Sequence, residues 1–206
     1  AEMPLLIGPL AHPLMRARLA PQAVEAGHVT GALHGGGMAG IAARGWPGLV
    51  PGQGALPVWR SDWTPALRRY AGIFGLQVQR HDGQELLGLG DPTEDAAEWS
   101  PDLAAAMADH LLALPDDRSD AAIRARLPMI ATWIASRLRA AAENPGLPHV
   151  GPVGEPRTRI ESALEPYAAY FSVEEIRLRQ RRNDGTWTGP LLRAVFVSGD
   201  ATVVLP

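Results

Sequence analysis

Three arginines, Arg177, Arg179 and Arg181, alternate with Ile176 and Leu178 in the stretch most suited to chemistry. On a β-strand that spacing sets three guanidinium groups on one face. A guanidinium fork holds phosphate oxygens bidentately, so such a face suits a pyrophosphate. The same spacing describes a solvated strand face whose arginines pair with acids elsewhere. Glu174 and Glu175 are adjacent in that strand, so their carboxylates point to opposite sides and do not form a pair. Asp116-Asp117 and Glu94-Asp95 read as helix-edge acids, which suit the helix dipole and solvent. His12, His28, His34, His81, His110 and His149 are scattered without ligand spacing, so no metal site is expected. Gly35-Gly36-Gly37-Met38-Ala39-Gly40 matches G-x-G-x-x-G. That pattern receives a dinucleotide only where it opens a helix, and Trp46-Pro47-Gly48 follows too soon for one. An ordinary glycine loop is the expectation.

Composition narrows the chemistry further. The chain has 206 residues, enough for one large or two small cores, and its net charge of -3 gives no general attraction to nucleic acid or anionic membrane. Its basic residues number 19 and all are arginine, which excludes a lysine Schiff base and a Walker-type phosphate loop. With no cysteine there is no thiol nucleophile or thiolate metal site, and a cytoplasmic location is the simple expectation. Ala1-Glu2-Met3-Pro4-Leu5 does not read as a signal peptide, and no run is long and apolar enough to suggest a membrane helix.

The elements that must position these residues fall into three stretches. Up to about Asp91 the pattern is short strands with glycine and proline punctuation. Strands are expected over residues 4–10, 24–34, 38–43 and 55–60, the second and third paired across the glycines. Trp46-Pro47-Gly48 and Pro51-Gly52-Gln53-Gly54 read as turns. Residues 12–20 suggest a helical turn or two. Thr64-Pro65 opens a short helix, with the threonine as cap and the proline at its first position. Residues 76–80 and 85–89 flank His81-Asp82-Gly83, a hairpin signal. From about residue 94 to 144 the pattern is helical. Ser100-Pro101-Asp102 caps one helix, and Ile123, Leu127, Ile130, Ile134 and Leu138 stripe a second that Pro128 should kink or break. Pro145, Pro148, Pro152 and Pro156 then read as a linker. Strands return over residues 171–182, 192–197 and 201–205, with tight turns at Asn183-Asp184-Gly185 and Ser198-Gly199-Asp200. An apolar strand ending at Pro206 implies a missing partner strand, so the chain end reads as a truncation or cleavage point.

Two stretches resemble known families. The first ninety residues resemble the γ-glutamylcyclotransferase (AIG2-like) fold, a small β-barrel. The likeness runs from Leu5-Leu6-Ile7-Gly8-Pro9-Leu10 through His12-Pro13-Leu14, the strand over residues 23–31, Trp46-Pro47-Gly48-Leu49-Val50-Pro51-Gly52 and the helix over residues 65–70, to the hairpin over residues 76–89. In that family the first strand ends in Tyr-Gly-Ser/Thr-Leu, whose amides hold substrate. Here Ile7, Gly8, Pro9 and Leu10 stand there, and Pro9 supplies no amide donor. The family's acid/base glutamate is matched by Ala71, which cannot carry a proton. The resemblance therefore implies a degenerate pocket without the cyclotransferase reaction.

The last fifty residues look like the N-terminal strands of Nudix ADP-ribose pyrophosphatases of the tellurite-resistance group. That likeness rests on Phe171-Ser172-Val173-Glu174-Glu175-Ile176-Arg177-Leu178, on Arg182-Asn183-Asp184-Gly185, and on Arg193-Ala194-Val195-Phe196-Val197-Ser198-Gly199-Asp200-Ala201 onwards. In that family these strands exchange between subunits of a dimer and help to form the adenosine end of the site. An Arg-Glu pair near substrate is matched by Arg193 and Ala194, so only the arginine is kept. The glutamate-bearing Nudix box, which holds catalytic Mg²⁺, does not occur in the sequence.

Together these readings imply an α+β chain. Residues 1–92 would form the degenerate cyclotransferase-like barrel, 93–150 a helical spacer and linker, and 151–206 the antiparallel strands of an incomplete Nudix domain. The implied function is the N-terminal region of a Mg²⁺-dependent hydrolase of ADP-ribose or a related nucleoside diphosphate. It would have no complete active site and no catalytic or metal-binding residue of its own. Arg193, Arg177 and Arg179 are the candidate substrate contacts. Expected partners are the rest of the Nudix domain, a second subunit and a small nucleotide, but neither nucleic acid nor membrane. The alternative is a non-catalytic cyclotransferase-like module for a ligand or partner. A live γ-glutamyl cyclotransferase is the third reading.

Overall fold

The computed structural model describes residues 3–91, 98–114, 116–142, 157–168 and 171–197. The chain is α+β and divides into two compact units, residues 1–134 and 135–206, each taken by itself below.

The first unit is built on a five-stranded mixed sheet. Its strands are β1 (Leu5–Leu6), β2 (Val24–His34), β3 (Gly48–Arg60), β4 (Gln79–His81) and β5 (Gln84–Leu87), in the spatial order β2-β3-β1-β5-β4. β1 is antiparallel to β3 and parallel to β5. The expected small barrel is not formed among the described residues: the sheet is open, with β2 and β4 at its edges. Two local features explain this. The first strand is short because Gly8, at φ +59°, turns the chain into a 3-10 turn over Gly8–Ala11. Residues 38–43, expected as a strand, make successive turns instead, with Ala39 N–H donating to Gly36 O and Ile41 N–H to Met38 O.

β2 therefore pairs with β3, from Val24 opposite Arg60 to His34 opposite Gly48. The Pro51-Gly52-Gln53-Gly54 stretch lies inside β3 rather than in a turn. It sits at an irregularity where Thr30 faces Ala55 and Ala32 faces Val50, so Gly31 alone lies opposite residues 51–54. A Cβ on Gly31 would come within 2.7 Å of the Leu49 side chain, and one on Gly54 within 2.7 Å of Gly31 O. These glycines permit close approach of two strands at a bulge.

The helices of this unit are α1 (Pro13–Leu19), α2 (Pro65–Phe74), α3 (Pro101–Ala113), α4 (Asp120–Arg124) and the first part of α5 (Leu127–Ala142), with α1 packed against α2 and α3, and α2 against α3 and α4. Their starts follow from capping chemistry. His12, Thr64, Ser100 and Ser119 each accept a main-chain N–H at the N-cap of α1, α2, α3 and α4. Thr64 Oγ1 accepts from Leu67 N–H at 3.0 Å and donates to Leu19 O at 2.5 Å, which ties α2 to the end of α1. Gly75, at φ +69°, closes α2 in a left-handed conformation. The second helical stretch is broken as expected, between α4 and α5, just ahead of Pro128. Arg124 reaches back from α4 to Ile73 O at 2.6 Å and Gly72 O at 2.5 Å, satisfying carbonyls at the end of α2.

The core packs Leu6, Ile7, Leu10, Met15, Leu19, Leu67, Ile73, Leu86 and Leu87 out of solvent. Trp46, Tyr70 and Phe74 form an aromatic cluster, with Tyr70 and Phe74 centroids 4.6 Å apart. Of the helices expected to form a spacer, α3, α4 and the first part of α5 fall in the compact unit that runs to residue 134.

The second unit is a three-stranded antiparallel sheet: β6 (Thr158–Ala168), β7 (Ser172–Gln180) and β8 (Leu191–Val197), in that spatial order. β6 was hidden in the sequence by Pro166 and by the proline-rich stretch before it. Asp184-Gly185 turns the chain as expected, with Gly185 N–H donating to Arg182 O and φ +84° at Gly185. The linker prolines up to Pro156, the turn at residues 198–200 and the strand at 201–205 lie outside the described residues.

Candidate functional site

Register decides which arginines of the second unit meet. β7 and β8 pair without irregularity, Ser172 opposite Val197 through Leu178 opposite Leu191. Directly opposed residues share a face, so Arg177 lies with Leu192, whereas Arg193 lies with Ile176 on the other side. Arg177 and Arg179 share a face; Arg193 is not brought to them. The three proposed substrate contacts therefore do not form one site within this chain.

The two arginines that do share a face differ in state. Arg179 Nε donates to Glu161 Oε1 at 2.5 Å, and its Nη1 reaches Thr188 O at 3.5 Å. It is an arginine held by an acid of the neighbouring strand. Arg177 is exposed and makes no ion pair with another described residue. Arg181 lies past the strand end, bridged to Trp187, and its Nε reaches Gly185 O at 3.4 Å in the adjoining turn. Arg193 is exposed and donates to Leu192 O at 2.9 Å.

An aromatic row on the Arg177 face was not foreseen. Tyr167 and Phe196 both oppose Val173, and Phe171 sits between them, with centroids 5.0 Å from Tyr167 and 4.7 Å from Phe196. Leu164, opposite Glu175, and Leu192, opposite Arg177, extend it. Phe196 is 61% exposed, Leu164 59% and Leu192 58%, so this is an open apolar surface and not a core. At the far end Arg159 stacks over Trp187 at 4.8 Å. No period of two marks it in β6, where Leu164 and Tyr167 reach one face only through the register irregularity between them. On the opposite face Ser172 is fully buried and donates to Glu165 at 2.5 Å, while Arg137 Nη2 holds Glu174 at 3.0 Å.

Of the five residues expected to form a degenerate pocket, two meet at one cavity. Gly8 and Pro9 line a cavity of about 280 Å³ with Leu33, Gly35, Gly36, Pro47 and Trp99. Ile7 and Leu10 are buried in the core behind it. Ala71 is buried in α2 and is not among the lining residues. None of the described lining residues titrates, so no described group at the wall can act as a general acid or base. Trp99 is held by its indole N–H, which donates to Ala39 O at 2.8 Å, and His12 stands edge-on to its ring at 5.2 Å. Nearby, the Tyr70 hydroxyl and the Trp46 indole N–H are buried with no hydrogen-bond partner. Burial pushes the Tyr70 phenol far above its ordinary range, so it stays protonated.

Among the described residues no three His, Asp or Glu side chains come together to hold a metal ion. No helix of the described residues is long and apolar enough to cross a membrane. No protein-family model matches this chain, and neither a curated protein nor a solved structure is significantly similar to it.

Proposed function

We propose that this chain is the N-terminal region of a Nudix hydrolase that is Mg²⁺-dependent and cleaves ADP-ribose or a related nucleoside diphosphate. Its part is a dimerisation surface and a portion of the substrate wall. The observation that carries this reading is the open aromatic and aliphatic face of the β6-β7-β8 sheet, with Arg177 and Arg179 beside it. A three-stranded sheet with large apolar side chains this exposed gains by burying them against further protein. Burial is worth about 25 cal/mol per Å² of apolar surface, and a stable interface covers roughly 800 Å² on each partner. Arg177 is the best candidate for a phosphate contact, because Arg179 is already engaged by Glu161. The ions that would polarise the pyrophosphate belong to a Nudix box outside this sequence, and no residue here is assigned to them.

The test compares the natural protein with this 22.0 kDa chain. A heavier, dimeric natural product that hydrolyses ADP-ribose only with Mg²⁺, and whose KM rises on Arg177→Ala, supports the reading. A natural product of this mass, monomeric and unable to bind ADP-ribose, overturns it.

A second reading is favoured by the cavity at Gly8, Pro9 and Trp99: a non-catalytic, cyclotransferase-like ligand-binding module. Live γ-glutamyl cyclotransferase activity has less support, since Ala71 replaces the acid/base residue. Release of 5-oxoproline from a γ-glutamyl substrate would establish it.

A further inference from the structure

The cavity of the first unit also carries information about the class of its ligand. The inference rests on the ligand-binding reading of that unit and goes beyond it in chemistry. Three kinds of wall meet there. Gly8, Gly35 and Gly36 contribute bare main chain, at φ +59°, +76° and +104°. A Cβ on Gly36 would stand 3.0 Å from the Pro47 ring, and at this φ any side chain there would be strained. Pro9, Leu33 and Pro47 contribute aliphatic surface. Trp99 contributes an indole whose polar atom is already used by Ala39 O, leaving π-surface to the cavity. His12 is oriented by accepting Leu14 N–H at Nδ1, 3.3 Å away, and its ring braces Trp99 edge-on.

These walls select by what they lack as well as by what they offer. A charged ligand would shed hydration and meet no countercharge among the described lining residues. A flexible ligand would lose rotor freedom against rigid proline and glycine main chain. A rigid, flat, uncharged ring loses neither and gains aromatic contact with Trp99. We propose that the cavity between Gly8, Gly36, Pro47 and Trp99 binds a small, neutral, planar ring.

The probe is benzamide, titrated into the full chain and followed by amide NMR. The Gly8, Gly35 and Gly36 amides and the Trp99 indole N–H should shift saturably in the millimolar range. Benzoate and benzylamine, with the same ring but a charge, should bind at least about tenfold more weakly. Trp99→Leu should weaken benzamide by about tenfold, whereas Val24→Ala, at the end of β2 far from Leu33, should leave it unchanged. If Trp99→Leu does not fold, the comparison of the three probes on the unmodified chain decides alone. Equal binding of benzoate or benzylamine, or no shift with benzamide, overturns the proposal. A γ-glutamyl dipeptide shifting these resonances where benzamide does not would sink the neutral-ring inference and leave the module reading standing. Silence from all four probes would remove both.

Discussion

The two units use similar apolar side chains to opposite ends. In the first, Trp46, Tyr70 and Phe74 interlock beneath α2, and Phe74 is 3% exposed. In the second, Tyr167, Phe171 and Phe196 stack at comparable distances, yet Phe196 is 61% exposed. The difference lies in layers. The first unit packs helix on helix, fixed by caps and carbonyl contacts, and its three rings are withdrawn from water. The second is a sheet whose aromatic side remains open. Ring-to-ring contact alone does not make a core; what is removed from water does.

The largest expected effect tests that contrast. Phe74→Ala should cost about 3–5 kcal/mol, because it opens a cavity between Trp46 and Tyr70. Phe196→Ala should change stability by about 0.5 kcal/mol or less, since exposed positions hold little of the folding energy. Chemical denaturation of both variants checks this, and a comparable loss in each would erase the distinction between the units. Next in size is Thr64→Ala, which removes the α2 cap and the bond to Leu19 O. It should cost about 1–2 kcal/mol, read as a lowered denaturation midpoint at unchanged slope. Tyr70→Phe should go the other way. Its hydroxyl is buried with no partner, so removing it should stabilise the first unit by roughly 1 kcal/mol. A loss would mean that the hydroxyl is satisfied in solution, and the aromatic core would then be less dry than it stands here.

Much of the first unit was readable because capping and turn chemistry act locally. Thr64-Pro65, Ser100-Pro101 and Asp82-Gly83 each specify their element within a few residues, the last as a two-residue turn with both φ values positive. What failed was non-local. Glycine and proline at 51–54 read as a turn, but Gly31 on the partner strand needed their smallness. Residues 38–43 look strand-like by pattern, yet Gly40 at φ +77° sends them into turns. The barrel expectation fell with them. At the candidate site, the period of two correctly set Arg177 and Arg179 together. Arg193 was named a further substrate contact by resemblance, and the β7 to β8 register sets it on the reverse face. The aromatic row depends on the same kind of pairing between distant strands, which no short window of sequence encodes.

The smallest effect lies in the exposed turn that joins β7 to β8. Thr186 donates to Asp184 Oδ1 from its hydroxyl at 2.7 Å and from its main-chain N–H at 2.9 Å. The hydroxyl bond first, then the main-chain bond, hold the Asp184 carboxyl below its ordinary value near 3.8. A carboxyl whose folded value is depressed adds stability that is complete above the unfolded value. That stability is lost as pH falls through the folded one. The turn should therefore loosen only in strong acid, and carboxyl NMR should give Asp184 a midpoint under 3.8 that moves up in Thr186→Ala. An Asp184 midpoint at or above 3.8 would show that this turn is not held as described.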